Sequence, residues 1–119
     1  MTTKRVGEAH RSDRRYERRV EVEVQHGARS FSAMTRNISL GGLFVETEET
    51  LPFGARVSLS FTIPTQAEAV KAEGRVRWIE NAVKNMRGIG IRFDGLRAKD
   101  VWAITTYLEQ RADEPAGQG

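Results

Sequence analysis

The stretch VSLSFTI, residues 57 to 63, constrains the fold of this chain more than any other. Val57, Leu59, Phe61 and Ile63 alternate with Ser58, Ser60 and Thr62. A strict period of two puts the apolar set on one face of an extended strand and the hydroxyls on the other. The pattern recurs. Val20, Val22 and Val24 alternate with Glu21, Glu23 and Gln25, and Phe31 and Ala33 with Ser32 and Met34. Val70, Ala72, Gly74, Val76 and Trp78 share one phase against Lys71, Glu73, Arg75 and Arg77, which assigns Trp78 to the core. Ile89, Ile91 and Phe93 form a last inward set. HGAR, LPFG and PTQAEA supply turns, NISLGG interrupts before LFVET resumes, and NAVKNM is a polar connection. Short one-faced strands separated by turn signals predict a sandwich or barrel.

From Leu96 to Arg111 the period changes. Val101, Ile104 and Leu108 recur at helical steps, flanked by Trp102 and Tyr107, which predicts an amphipathic helix. A helix after the strands would cap or plug one end of a small barrel, with Trp102 expected at the closure. Residues 112 to 119, ADEPAGQG, read as a disordered tail.

At 119 residues the chain fits one domain. It has no cysteine, which excludes disulfides, thiolate metal sites and a cysteine nucleophile. No apolar run approaches the ~20 residues that cross a bilayer, and MTTKRVGEAH lacks the apolar segment of a secretory signal. The expectation is a soluble, cytoplasmic protein with no membrane contact.

Catalytic chemistry finds no support. His10 and His26 have no second ligand at metal spacing, Ser39 has no sequence neighbour to activate it, and Glu48 and Glu49 read as solvated charge beside a turn. No catalytic residue, metal or cofactor is expected, and the chain reads as a binding module. Its electropositive element is the N-terminal arm. RRYERR, residues 14 to 19, holds four arginines in six positions. Residues 4 to 19 carry a net charge of +4, leaving −1 for the rest, so the arm should attract an anion. The second unusual segment is NISLGG. Asn37 and Ser39 offer hydrogen-bonding groups. Gly41 and Gly42 permit positive φ or close approach of another group to the backbone.

An arginine cluster entering a barrel, followed after one hairpin by Asn-x-Ser-x-x-Gly, resembles the PilZ domain, whose signature is Arg-x-x-x-Arg and then Asp/Asn-x-Ser-x-x-Gly. Asn37, Ser39 and Gly42 meet the second part, and GRVRWIE (residues 74 to 80) and GIGIRF (residues 88 to 93) resemble the family's barrel strands. The resemblance covers roughly residues 11 to 110. It implies an all-β fold with a C-terminal helix, namely a six-stranded antiparallel barrel behind a flexible basic arm. The implied boundaries are arm 1–13, domain 14–111 (barrel about 20–94, helix about 97–111) and tail 112–119.

The resemblance also implies a ligand, the second messenger cyclic di-GMP, held by Arg14, Arg15, Arg18, Arg19, Asn37, Ser39, Gly41 and Gly42. Arginine suits it, because a guanidinium fork matches guanine O6 and N7, stacks on bases and pairs with phosphate. Arg14 with Arg18, Arg15 with Arg19 and Arg11 with Arg15 all have the motif spacing. In the family the second arginine stands directly before the first strand's valine, and Val20 follows Arg19, so the preferred register is Arg15 and Arg19. Arg14 then immediately precedes the motif, a feature associated in the family with an intercalated pair of ligands. Asn37 replaces the commoner aspartate with a single acceptor oxygen, which predicts weaker binding. Arg77 and Arg92 project from the non-core face, either solvated or lining the ligand wall. Output would run through an unidentified effector protein in motility or exopolysaccharide and biofilm control. The rival readings are a scaffold that binds no ligand and a small barrel that binds RNA or single-stranded DNA through the arm; a nucleic-acid partner is not expected.

Overall fold

A computed structural model describes residues 16–81 and 84–113, with side chains through residue 110. The strands are β1 (Glu21–His26), β2 (Arg29–Ile38), β3 (Gly42–Thr47), β4 (Arg56–Phe61), β5 (Val70–Ile79) and β6 (Arg87–Gly95), followed by helix α1 (Ala98–Asp113). All neighbouring strands are antiparallel and close into a barrel in the order β1-β2-β3-β6-β5-β4. Closure removes every free strand edge.

The period-two residues fill the interior. Val22, Val24, Val45, Val57, Val76 and Ile89 are almost wholly buried, and α1 covers one end with Ala103, Ile104, Tyr107 and Leu108. The loop between β4 and β5 fastens the helix there. Thr65 Oγ1 donates to Ala103 O at 2.6 Å, and Gln66 Nε2 donates to Asp100 Oδ1 at 3.0 Å. Lys99 pairs with Glu68 at the surface. Asp100 is fully buried in the first turn and also accepts from Arg97 Nε at 3.0 Å. Burial pushes its carboxyl up, but the Gln66 and Arg97 hydrogen bonds more than offset this and hold it below the usual aspartate range.

The helix corrects one sequence expectation. Its buried positions are 100, 103, 104, 107 and 108, a stripe spaced i, i+3, i+4, i+7, i+8. Val101 and Trp102 lie off it. Val101 is 38% exposed and Trp102 63% exposed, so Trp102 does not close the barrel. An apolar-only reading of the stripe had no place for the aspartate at its head.

Residues 16 to 20 extend the line of β1 along β2. Tyr16 N donates to Ile38 O and Ile38 N to Tyr16 O, at 2.9 and 3.0 Å. Val20 N donates to Thr35 Oγ1 at 2.8 Å, and that buried hydroxyl donates in turn to Arg18 O at 2.5 Å. The last residues of the arm are therefore fixed to the barrel wall.

Candidate functional site

Two register shifts build the site. Across β2 and β3, Thr35 pairs with Val45 but Asn37 with Phe44, so Arg36 is an extra residue. Across β5 and β6, Val76 pairs with Ile91 but Trp78 with Gly90, so Arg77 is an extra residue. An extra residue reverses the facing of the residues beyond it. Asn37 would otherwise point inward with Thr35; instead it joins the outer face beside Phe44. Trp78 likewise turns out and is 61% exposed, which corrects its assignment to the core. Period-two counting fails there because it has no means of seeing an inserted residue.

The outward residues share one wall. Trp78 and Gly90 line both a cleft of about 410 Å³, with Ser39, Gly41, Gly42, Arg77 and Arg92, and an adjoining hollow with Arg36, Asn37, Phe44 and Glu80. The glycines make this wall concave. A Cβ on Gly42 would lie 2.1 Å from Ile91 O, and one on Gly88 would lie 2.3 Å from Phe44 Cζ. Phe44 thus lies flat on a glycine-paved β6, with the Arg36 guanidinium 4.2 Å from its centroid. Among the described residues the glycines at positive φ are Gly27 and Gly54. Gly42 is thus required by close approach of strands, not by turn geometry.

Ser39 is buried and organises the turn. Its Oγ accepts from Gly41 N at 3.0 Å and Gly42 N at 3.2 Å and donates to Gly42 O at 3.3 Å. This shapes the cleft floor from below.

The arginines separate. Arg14 and Arg15 lie outside the described residues. Arg18 turns to the barrel end: its Nη2 donates to Leu108 O at 3.3 Å, and its guanidinium lies 5.5 Å from the Tyr16 ring centroid and 5.9 Å from that of Tyr107. Arg19 stays on the outer wall, its side chain 65% exposed and 3.6 Å from Glu46. Glu46 also meets Arg36, which reaches Glu80 as well. The sequence motifs thus meet at one wall through Arg19, Asn37, Ser39, Gly41 and Gly42, with Arg18 apart. Trp78, Arg36 and Phe44 are additions that periodicity did not single out for ligand contact. No sequence signal marks Trp78, because its facing depends on how β5 pairs with β6. Arg77 and Arg92 line the cleft, one of the two places open to them from sequence. No cluster of His, Cys, Asp or Glu able to hold a metal occurs among the described residues.

Comparison with known proteins gives a consistent picture. The family model "PilZ domain" matches residues 9–110. The inhibitor of motility MotI/DgrA of Bacillus subtilis superposes with a TM-score of 0.72 at 25% identity, covering 82% of this chain and 49% of that one. This chain therefore spans about half the length of that protein. The PilZ domain of YcgR from Escherichia coli, solved with c-di-GMP, gives a TM-score of 0.69 at 18% identity over 89% of this chain and 96% of the other. The PlzA protein of Borreliella burgdorferi, in complex with c-di-GMP, gives 0.56 at 17% identity over 74% and 32%. No curated protein matches closely enough to add to these.

Proposed function

The chain belongs to the PilZ domain family, and from that premise we propose that it is a cytoplasmic receptor for cyclic di-GMP that performs no chemistry and signals through a partner protein. The observation that carries this reading is the pair of arginine bulges, which brings Asn37 and Trp78 to one glycine-paved wall beside Arg19. Such a wall suits a ligand with two flat purines and two phosphates. Arg19, with Arg15 from the arm, would fork onto guanine O6 and N7 or onto phosphate. Trp78 offers an exposed ring on which a base can stack, worth about 1–3 kcal/mol. Arg92 and Arg77 offer cations at the cleft. Asn37 would accept from one guanine edge with its single carbonyl oxygen. Ser39 contributes by holding the turn and keeping the backbone of Gly41 and Gly42 open to the ligand. The similar domains of YcgR and PlzA, solved with c-di-GMP, and the motility inhibitor MotI/DgrA support the ligand and an output in motility; exopolysaccharide control is the other output that fits.

Arg14, directly before the motif, is assigned to a second ligand molecule stacked on the first. Native mass spectrometry of the saturated protein should find two ligands per chain; one per chain removes that assignment.

Calorimetry tests the receptor reading. Wild type should bind cyclic di-GMP, and Arg15→Ala, Arg19→Ala and Ser39→Ala should each weaken binding about tenfold or more, a loss of about 1.4 kcal/mol. Wild-type binding by all three would move the site elsewhere, and no binding by wild type would leave the barrel as a ligand-free scaffold.

A further inference from the structure

A row of three arginines crosses the barrel beside the cleft. Arg56 on β4 pairs directly with Arg75 on β5, and Arg75 pairs directly with Arg92 on β6. All three are exposed. Like charges directly opposite on one face of a sheet are destabilising, and strands ~4.8 Å apart put the whole row within about 10 Å. Only part of this is neutralised at home. Arg75 lies 3.7 Å from Asp94, while Arg56 and Arg92 make no ion pair with a described carboxylate. Arg92 lines the cleft, but Arg56 and Arg75 do not, so nucleotide binding leaves most of the row unexplained.

We infer that this row, at the β4–β5–β6 surface, is a docking site for an acidic segment of a partner protein. Charge complementarity favours an anion there, and the surroundings select its kind. Glu73 stands two residues from Arg75 on the same face of β5, and Asp94 adjoins the row. A continuous polyanion, such as a nucleic-acid strand or an anionic membrane, would meet those carboxylates, whereas a peptide with a few spaced carboxylates meets only the guanidiniums. Phe53, 68% exposed, precedes Gly54, whose N–H donates to Val76 O and so ties this loop to the same strand as Arg75. Arginine and phenylalanine are both enriched in protein–protein interfaces. The inference stands without the nucleotide reading, since neither Arg56 nor Arg75 belongs to that site.

The test is fluorescence anisotropy of the full chain with a short labelled peptide of alternating glutamate and glycine. Arg56→Ser/Arg75→Ser should bind it at least about tenfold more weakly than wild type, with an unchanged or raised unfolding midpoint because the repulsion is relieved. The charge-matched control Arg29→Ser/Lys84→Ser, away from the row, should bind like wild type. Equal losses in both double variants would reduce the effect to net charge and overturn the docking site. So would tighter binding of single-stranded DNA or of phosphatidylserine vesicles than of the peptide, or peptide binding untouched by the row variant.

Discussion

Arg18 and Arg19 adjoin in the chain, yet one faces the helix and the other the outer wall. Arg18 lies near the Tyr16 and Tyr107 rings and donates to Leu108 O. Arg18→Ala should therefore lower stability by about 1 kcal/mol, read as a fall of several degrees in the unfolding midpoint. Its direct effect on cyclic di-GMP affinity should be smaller than that of Arg19→Ala, which should leave the midpoint unchanged. The opposite pattern would favour the Arg14/Arg18 register. Glu46 supplies a second test at this scale. It sits 3.6 Å from Arg19 and 3.5 Å from Arg36, so a ligand bound as proposed would compete with it for those guanidiniums. Exposed pairs of this kind are worth about 0–1 kcal/mol. Glu46→Gln should therefore raise ligand affinity by about twofold to fivefold in calorimetry, and a fall would mean that Glu46 itself positions the arginines for binding. Of the candidate residues among those described, the turn residues Ser39, Gly41 and Gly42 were legible because a break between two strands marks them in the sequence. Trp78 was not, because its facing depends on the bulge at Arg77.

At the scale of elements, strand identity and phase followed from alternation, and the phase breaks where a bulge inserts an arginine. Neither shift could be read locally: a bulge is a property of two strands, visible only once Trp78 is seen opposite Gly90 and Asn37 opposite Phe44. The helix itself lies where its periodicity put it, but its inward face was misread for a different reason. Its buried stripe begins with a charged residue, legible only after Gln66 and Arg97 are known to satisfy it. That arrangement has a pH consequence. The folded-state pKa of Asp100 is depressed, so its stabilisation is fully present above the unfolded value near ~3.9 and is lost as pH falls through the lower folded pKa. Asp100→Asn should cost about 1–3 kcal/mol at neutral pH. It should also flatten the acid limb of a stability-versus-pH curve measured by urea titration; a parallel, unflattened limb would assign acid sensitivity to other carboxylates. Ile104, 1% exposed at the helix–barrel contact, sets the scale for packing: Ile104→Ala should cost about 2–5 kcal/mol.

For the molecule as a whole, charge is divided between an arm at +4 and a remainder at −1, while the contacts described for the arm begin at Tyr16. Two effects of the arm are thereby separable. Long-range attraction depends on total charge and is screened beyond the ~8–10 Å Debye length of physiological salt. Recognition depends on where particular guanidiniums sit. Removing residues 1–13 takes away three basic and two acidic side chains and spares the RRYERR cluster. It should leave both the unfolding midpoint and cyclic di-GMP affinity nearly unchanged, the latter within about threefold, or less than ~0.7 kcal/mol. Removing residues 1–15 additionally takes Arg14 and Arg15. It should again spare the midpoint, since the Tyr16–Ile38 pairing survives, but cut affinity at least about tenfold. The salt dependence should stay shallow, because a ligand with two phosphates releases few counterions. A nucleic-acid strand contacting six or more phosphates would lose ~10³-fold between 50 and 200 mM salt. Calorimetry on the three lengths at two salt concentrations checks this, and a steep salt slope with equal affinity in both truncations would turn the arm from a nucleotide clamp into a general polyanion tether.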